Sequence, residues 1–330
     1  MLKGLYILDK GFINVIYGPT EMADIARLIN IYMPPLTAQD VKNDPSVLKD
    51  ADVIMSGWGC IPMTKDILDA APNLKAVFYG AGSIKSITTE DFWDRGIVIT
   101  SGYAANGIPV AEYTLSQVIF CLKSGWRFAQ SIREQKNNKA QFPIYGAYGS
   151  TVGIISLGMV GRKVCELLKN LDVNVICCDP FADDNTAAEL GVTLCTLEEV
   201  FSKSHVVSLH TPLLEQTRGM IRSEHFEMMK PYSSFINTSR GAVIRENEMI
   251  EVLKKRPDIQ AVLDVTSPEP PAPDSPLYDL PNVVLTPHIA GSKDDECRRM
   301  GRYMVEELER YLRDEKLLWE ITRQMAGTLA

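Results

Sequence analysis

Three side chains in the second half of the chain can between them hold a small acid and move a proton. His288 closes the run NVVLTPH; an imidazole changes charge near neutral pH and can give or take a proton at an oxygen. Arg240 follows SSFINTS, and a planar guanidinium can hold a carboxylate and a carbonyl oxygen together. Glu269 stands in SPEPPAPDSP, where its carboxylate could accept from the second imidazole nitrogen and fix the tautomer. Each has a plainer reading: a structural histidine, a surface charge at a helix start and, for Glu269, a solvated proline-rich loop. For Glu269 the plainer reading is the stronger one from the residues alone. Such a set suits exchange between a carbonyl and an alcohol, with hydride chemistry supplied by a nicotinamide.

A second group of residues fits that carrier. Residues 151–162 read TVGIISLGMVGR, a strand running into Ser156, Gly158 and Gly161, with Met159 and Val160 opening a helix. A pyrophosphate site needs a tight turn, close backbone approach and a helix amino terminus whose N–H groups face the anion. Gly158 and Gly161 meet the last two needs, while Ser156 replaces the usual first glycine and can still turn. The next strand, VNVICCD, ends at Asp179, 18 residues beyond Gly161. That is close to the ~20 expected for the acid that holds the adenosine ribose. A carboxylate there accepts from a free 2′-OH and repels a 2′-phosphate, and no Arg adjoins it. The expected cofactor is therefore NAD rather than NADP.

These residues sit at the ends of recurring apolar runs. LKGLYILD, DVIMSG, KAVFYG and GIVITSG come first, then STVGIISLG, VNVICCD, HVVSLHT, SSFINTS, IQAVLDV and NVVLTPH. Short runs bounded by Gly, Asp or Pro, with helical stretches between, read as buried parallel strands in βαβ units. The fold class is α/β, with two Rossmann-like, doubly wound parallel-sheet domains. Residues 1–105 plus about 295–330 are expected to form one domain and 106–294 the other, with the last helix, 293–313, returning to the first. Residues 109–126 give a helix pattern, with Pro109 suited to its first turn. Residues 127–150 are polar and weakly periodic, an excursion rather than a domain.

Composition bounds the partners. A chain of 330 residues suits two domains. The net charge is −8 and no long basic stretch occurs, against nucleic acid. No apolar run reaches the ~18 residues of a membrane span, and no signal peptide is legible. Seven scattered cysteines suit free thiols in a reducing cytoplasm. The four histidines show no metal spacing with them.

The ordered blocks VGIISLGMVGR, SLHTPLLEQTRGMI, FINTSRGAVIRE, AVLDVTSPEP, LTPHIAG and PVAEYTLSQV resemble the D-isomer-specific 2-hydroxyacid dehydrogenases. The resemblance implies two Rossmann-like domains with the active site in the cleft between them, a homodimer, and Arg240, Glu269 and His288 as catalytic groups. It places His210, Thr211, Pro212, Thr217, Thr238 and Asp264 around the cofactor, Asp264 near the nicotinamide carboxamide. In FYGAGS, residues 78–83, it assigns the substrate carboxylate to backbone N–H groups of Ala81 and Gly82, with Asn106 nearby. Arg245 and the segment SIK at 83–85 depart from the usual pattern.

The expected substrate is a small 2-keto or 2-hydroxy acid, D-specific and unphosphorylated. Phosphoglycerate dehydrogenases, in the same family, carry a basic residue where DVIMSGWGCIPMT offers Ser56, Gly57, Trp58 and Gly59. Trp58 would present an apolar face to the substrate instead, unless it is simply core. Lys85 is the residue that could restore the missing charge. Two other readings stand beside this one. NADH-sensing corepressors of the C-terminal-binding-protein kind keep a similar trio. Formate dehydrogenases carry Gln where this chain has Glu269.

Overall fold

A computed structural model describes residues 1–328. They form two compact units, residues 1–106 with 292 onward, and Gly107–Gly291. Each is built on an all-parallel sheet. The apolar runs dictate this, because a strand covered by helices on both faces has no polar side.

The first unit contains β1 (Lys3–Ile7), β2 (Asn30–Ile31), β3 (Val53–Ser56), β4 (Ala76–Tyr79) and β5 (Val98–Ser101). Their order in the sheet is β2-β1-β3-β4-β5. Side chains alternate between two cores. Leu5, Ile7, Ile54, Val77 and Tyr79 enter one; Tyr6, Val53, Met55, Ala76 and Phe78 enter the other. The helix Cys297–Leu312 closes the second core with Met300, Met304, Val305 and Leu308. The fully buried Glu307 accepts from the N–H groups of Leu318 and Trp319 and from Arg310, tying down the chain that follows this helix.

The second unit contains β6 (Ser150–Ile155), β7 (Val173–Cys178), β8 (Thr193–Leu194), β9 (Val206–Leu209), β10 (Ser234–Asn237), β11 (Gln260–Leu263) and β12 (Val283–Leu285). The order is β12-β11-β10-β9-β6-β7-β8. Ile155, Val207, Leu209, Phe235, Ala261 and Leu263 face one core. Val152, Ile154, Val206, Ile236 and Val262 face the other. In each sheet the strand order reverses once, between β1 and β3 and between β6 and β9. Open α/β sheets bind ligands beyond the carboxyl ends of their strands at such reversals.

Three details differ from the sequence expectation. The two-residue edge strands β2 and β8 are not among the ten runs read as strands. The helix expected from Pro109 starts at Tyr103 and runs to Leu122, so the proline lies inside it. The excursion also contains a helix, Gly125–Gln135, entered through Ser124 at φ 51°. Its period was masked because its buried residues, Arg127 and Ser131, are polar; Arg127 donates to the backbone oxygen of Pro257 at 3.1 Å. All seven cysteines are free thiols, and Cys177 is buried. Among the described residues no helix is long and apolar enough to cross a membrane, and no group of three His, Cys, Asp or Glu side chains could hold a metal.

Candidate active site

The nucleotide loop leaves β6 at the reversal in the second unit. Ser156 takes φ 75°, the left-handed region that a glycine would occupy without cost. Its hydroxyl meets that of Thr211 at 2.8 Å. The helix Met159–Leu168 begins at Gly158, which supplies no side-chain cap to the first-turn N–H groups. A Cβ added to Gly158 would meet nothing within 4 Å, whereas one added to Gly161 would lie 2.1 Å from the Ser156 carbonyl oxygen. The turn is thus packed tightly from below and open above, with unsatisfied donors facing the opening. That arrangement fits a pyrophosphate. Asp179 follows β7 directly, and its carboxylate accepts from the N–H of Leu157 at 2.6 Å and of Phe181 at 2.8 Å. Those bonds fix its orientation and leave lone pairs for a ribose.

Across the reversal, β9 runs into His210 and Thr211. His210 is buried, with Nε2 2.9 Å from the Ser208 hydroxyl. Burial pulls its pKa down from 6.5 to about 4, so the ring is neutral at physiological pH. Thr217 donates its hydroxyl proton to the Pro212 oxygen at 2.6 Å and accepts from Leu214 N–H at 2.8 Å. It therefore shapes the 212–217 loop. Thr238, after β10, pairs with Thr114 at 3.1 Å.

Arg240, Glu269 and His288 leave the carboxyl ends of β10, β11 and β12, three consecutive neighbours in one sheet. Asn237 shapes the first turn: its Oδ1 accepts from Ser239 N–H and its Nδ2 donates to the Arg240 oxygen. Gly241 then passes so close to Thr266 that an added Cβ would lie 2.2 Å from its oxygen. No larger residue fits there. The Arg240 guanidinium donates to the Ser239 oxygen at 2.6 Å. Burial pulls its pKa below the ordinary arginine value, while the charge of Glu269 acts the other way. Glu269 Oε1 lies 2.5 Å from His288 Nδ1. His288 Nε2 has no partner among the described residues, and 45% of the side chain is exposed.

His288 itself takes φ 54°, and Asp264 holds it there. The buried Asp264 carboxylate accepts from the Thr286 hydroxyl at 2.6 Å, Ile289 N–H at 2.8 Å and Ala290 N–H at 2.9 Å. Its backbone oxygen accepts from His288 N–H at 3.0 Å. Oδ2 has one protein donor and room for another, such as a carboxamide. A cavity of about 430 Å³ adjoins the Glu269–His288 pair, walled by Pro270, Pro271, Tyr278, Leu285 and Pro287.

Of the residues assigned to the substrate, Arg240 belongs to the second unit and Ala81, Gly82, Asn106 and Trp58 to the first. Ala81 is fully buried and its N–H closes a turn onto the Tyr79 oxygen at 2.8 Å, so it is not available to a carboxylate. Gly82 is the open position of this loop. The Ser101 hydroxyl holds the loop by donating to the Ala81 and Gly82 oxygens. Asn106 Oδ1 accepts from Ser292 N–H at 2.8 Å. Trp58 is half-buried, against both cores of the unit.

Sequence reasoning missed several supports. Tyr113 meets the Thr286 hydroxyl at 3.1 Å. Glu246 accepts from Ser267 N–H at 2.8 Å and so steadies the chain leading to Glu269. Arg162 Nε donates to the Leu157 oxygen at 2.8 Å, a cation beside the loop that carries no mark in sequence beyond its place after Gly161.

Residues 115–290 match the family described as D-isomer specific 2-hydroxyacid dehydrogenase, NAD binding domain. The chain is 31% identical over 272 residues to a glyoxylate reductase of Korarchaeum cryptofilum, covering 81% of this chain and 82% of that one. It is 32% identical over 243 residues to a D-3-phosphoglycerate dehydrogenase of Archaeoglobus fulgidus, covering 74% of this chain and 46% of that one. It thus spans about half the length of the phosphoglycerate dehydrogenases it matches. In fold it is similar to a glyoxylate reductase from Paecilomyes thermophila, with a TM-score of 0.78, 20% identity, and coverage of 98% of this chain and 99% of that one.

His210 generates a pH prediction. Its folded pKa, about 4, lies below the ordinary 6.5. The stability it contributes is complete above pH 6.5 and is lost as pH falls toward 4, because the unfolded chain binds the proton first. The loss should reach about 3 kcal/mol. His205, also lowered by burial, adds to the same slope. Urea unfolding from pH 7 to 4 should therefore show a steeper decline in the unaltered protein than in His210→Gln. Parallel profiles would refute the assignment.

Proposed function

Because the chain belongs to the D-isomer specific 2-hydroxyacid dehydrogenase family, we propose that it interconverts a small, unphosphorylated 2-keto acid and the D-2-hydroxy acid using NAD(H). The observation that carries this reading is the Glu269–His288 contact of 2.5 Å, on neighbouring loops of the sheet that also presents Arg240. When bound, the nicotinamide supplies the hydride at its C4. In the reductive direction, protonated His288 gives the Nε2 proton to the oxygen that becomes the hydroxyl. Glu269 holds Nδ1–H, so Nε2 remains the working nitrogen. The Arg240 guanidinium holds the substrate carboxylate and polarises the carbonyl oxygen. Gly158, Met159, Val160 and Gly161 would hold the pyrophosphate, Asp179 the ribose, and Asp264 Oδ2 the carboxamide. Gly82, Asn106 and Trp58 would contact the substrate.

A phosphorylated substrate is the second reading. It is supported by the similarity to phosphoglycerate dehydrogenases and by Lys10, an exposed cation in the loop after β1.

We also infer a homodimer built through residues 110–150. Ile119, Phe120, Ile132, Ile144 and Tyr148 are exposed there, more apolar surface than an isolated subunit would present in so short a segment. Light scattering at micromolar concentration should give twice the subunit mass; a monomer would count against this interface.

The reaction is tested with NADH or NADPH and a panel of keto acids: glyoxylate, pyruvate, hydroxypyruvate, phenylpyruvate and 3-phosphohydroxypyruvate. Turnover should be faster with NADH and with an unphosphorylated acid. His288→Ala should lower kcat ~10²–10⁴-fold, the usual worth of a positioned acid–base group, with little change in NADH affinity. Full activity in that variant would refute the mechanism, and highest kcat/KM with the phosphorylated acid would establish the second reading.

A further inference from the structure

We propose that Cys178 and Cys195 are an oxidation site: the two thiols close to a disulfide, and closure loosens the hold on NAD(H). The second part rests on the cofactor site proposed above. Of the seven cysteines, Cys121, Cys165, Cys177 and Cys297 are buried, and Cys60 belongs to the first unit. Cys178 and Cys195 are partly exposed and belong to the second. Their placement follows from the register of two parallel strands. Ile176 lies opposite Thr193, and Cys177 opposite Leu194. The ladder continues one step, because Cys195 N–H donates to the Cys177 oxygen at 2.8 Å. The next opposed pair is therefore Cys178 and Cys195. Alternation puts both on one face. Cys177 and Leu194 pack into one core of the unit, while Cys178 and Cys195 pack against the other.

Neighbouring strands lie about 4.8 Å apart, inside the span of about 4.4–6.8 Å that a disulfide allows between Cα atoms. Side chains opposed in a parallel pair keep nearly the same spacing at Cβ, slightly beyond the about 3.5–4.5 Å of an ordinary disulfide. Closure must therefore draw the two residues together. Cys195 is anchored by its bond to Cys177 and by the capped helix Leu197–Lys203 that follows, so the pull also reaches Cys178. Cys178 supports the nucleotide loop directly. Its backbone oxygen accepts from Ser156 N–H at 2.9 Å, and the carboxylate of the next residue, Asp179, accepts from Leu157 N–H at 2.6 Å. A shift at Cys178 is thus passed both to the turn that would hold the pyrophosphate and to the carboxylate that would hold the ribose.

The oxidant is a low-molecular-weight disulfide such as oxidised glutathione. One thiolate attacks it, forming a mixed disulfide and releasing one glutathione thiol; the second thiolate displaces the other. One S–S bond breaks and one forms, two electrons leave the pair, and the two thiol protons end on glutathione. Burial pushes both thiols up, Cys195 to about 11, and the carboxylates of Asp179 beside Cys178 and Glu199 beside Cys195 act in the same direction. Little thiolate is present at neutral pH, so the pair follows a sustained change in the surrounding thiol–disulfide balance rather than a brief pulse.

The test equilibrates the protein in glutathione buffers from reduced to oxidised, traps the thiols by alkylation, maps disulfides by mass spectrometry and measures NADH affinity by fluorescence titration. Oxidised protein should contain a Cys178–Cys195 bridge and bind NADH about tenfold more weakly, a usual size for coupling between two sites. Dithiothreitol should reverse both changes. By reciprocity, saturating NADH should raise by the same factor the oxidised glutathione needed for half closure at fixed reduced glutathione. Cys195→Ser should bind NADH like the reduced unaltered protein and lose the response to oxidation. No bridge between these two residues, or a bridge that leaves NADH affinity unchanged, would overturn the inference while leaving the cofactor site standing. Reduced protein that fails to bind NADH would overturn the cofactor site and the inference with it.

Discussion

Asp264 sits at the end of β11 with its carboxylate buried and accepting three hydrogen bonds from the turn that carries His288. A buried carboxylate is costly unless such donors replace water, and the left-handed backbone of His288 adds a cost of about 1–2 kcal/mol. Bonds to a charged acceptor contribute about 1.5–3 kcal/mol each, so three of them outweigh the strain. The turn is held in a conformation that the local sequence would not choose. That conformation carries Nδ1 to Glu269 and leaves Nε2 without a partner among the described residues.

The other parts of the second unit serve the same end. Gly241 lets the Arg240 turn close on Thr266, whose chain leads to Glu269, and Glu246 steadies that chain at Ser267. Tyr113 reaches the same turn from the long helix through Thr286. The nucleotide loop shows a similar balance. Ser156 has the strained backbone of a glycine position, at about 1–2 kcal/mol, and its bond to Thr211 contributes about 0.5–1.5 kcal/mol. The two terms nearly cancel, which explains why serine is tolerated there.

Much of this was legible in sequence because buried parallel strands are continuous apolar runs and their carboxyl ends are marked by Gly, Asp, Thr and His. Ten strands and the residues at their ends could be read that way. What escaped had a physical reason. The edge strands β2 and β8 contain two residues each and bury little. The helix Gly125–Gln135 buries Arg127 and Ser131 and leaves Ile132 exposed, so its apolar positions do not mark its buried face. Ala81 looked like a free donor because a turn onto Tyr79 depends on backbone geometry that residue types do not encode. Asp264 was legible as a cofactor contact, but its grip on the His288 turn depends on a contact 24 residues away in sequence.

The account depends most on Asp264 fixing the His288 turn, and steady-state kcat in Asp264→Ala, measured beside NADH affinity and thermal stability, tests that directly. Removing the carboxylate should let the turn relax toward ordinary backbone angles and displace His288 by ångströms. The expected loss in kcat is about 100-fold, the cost of such a misplacement, in a protein that remains folded and binds NADH more weakly only by the one carboxamide contact proposed for Asp264. A variant with unaltered kcat would show that His288 is placed by something other than Asp264, and would contradict the account.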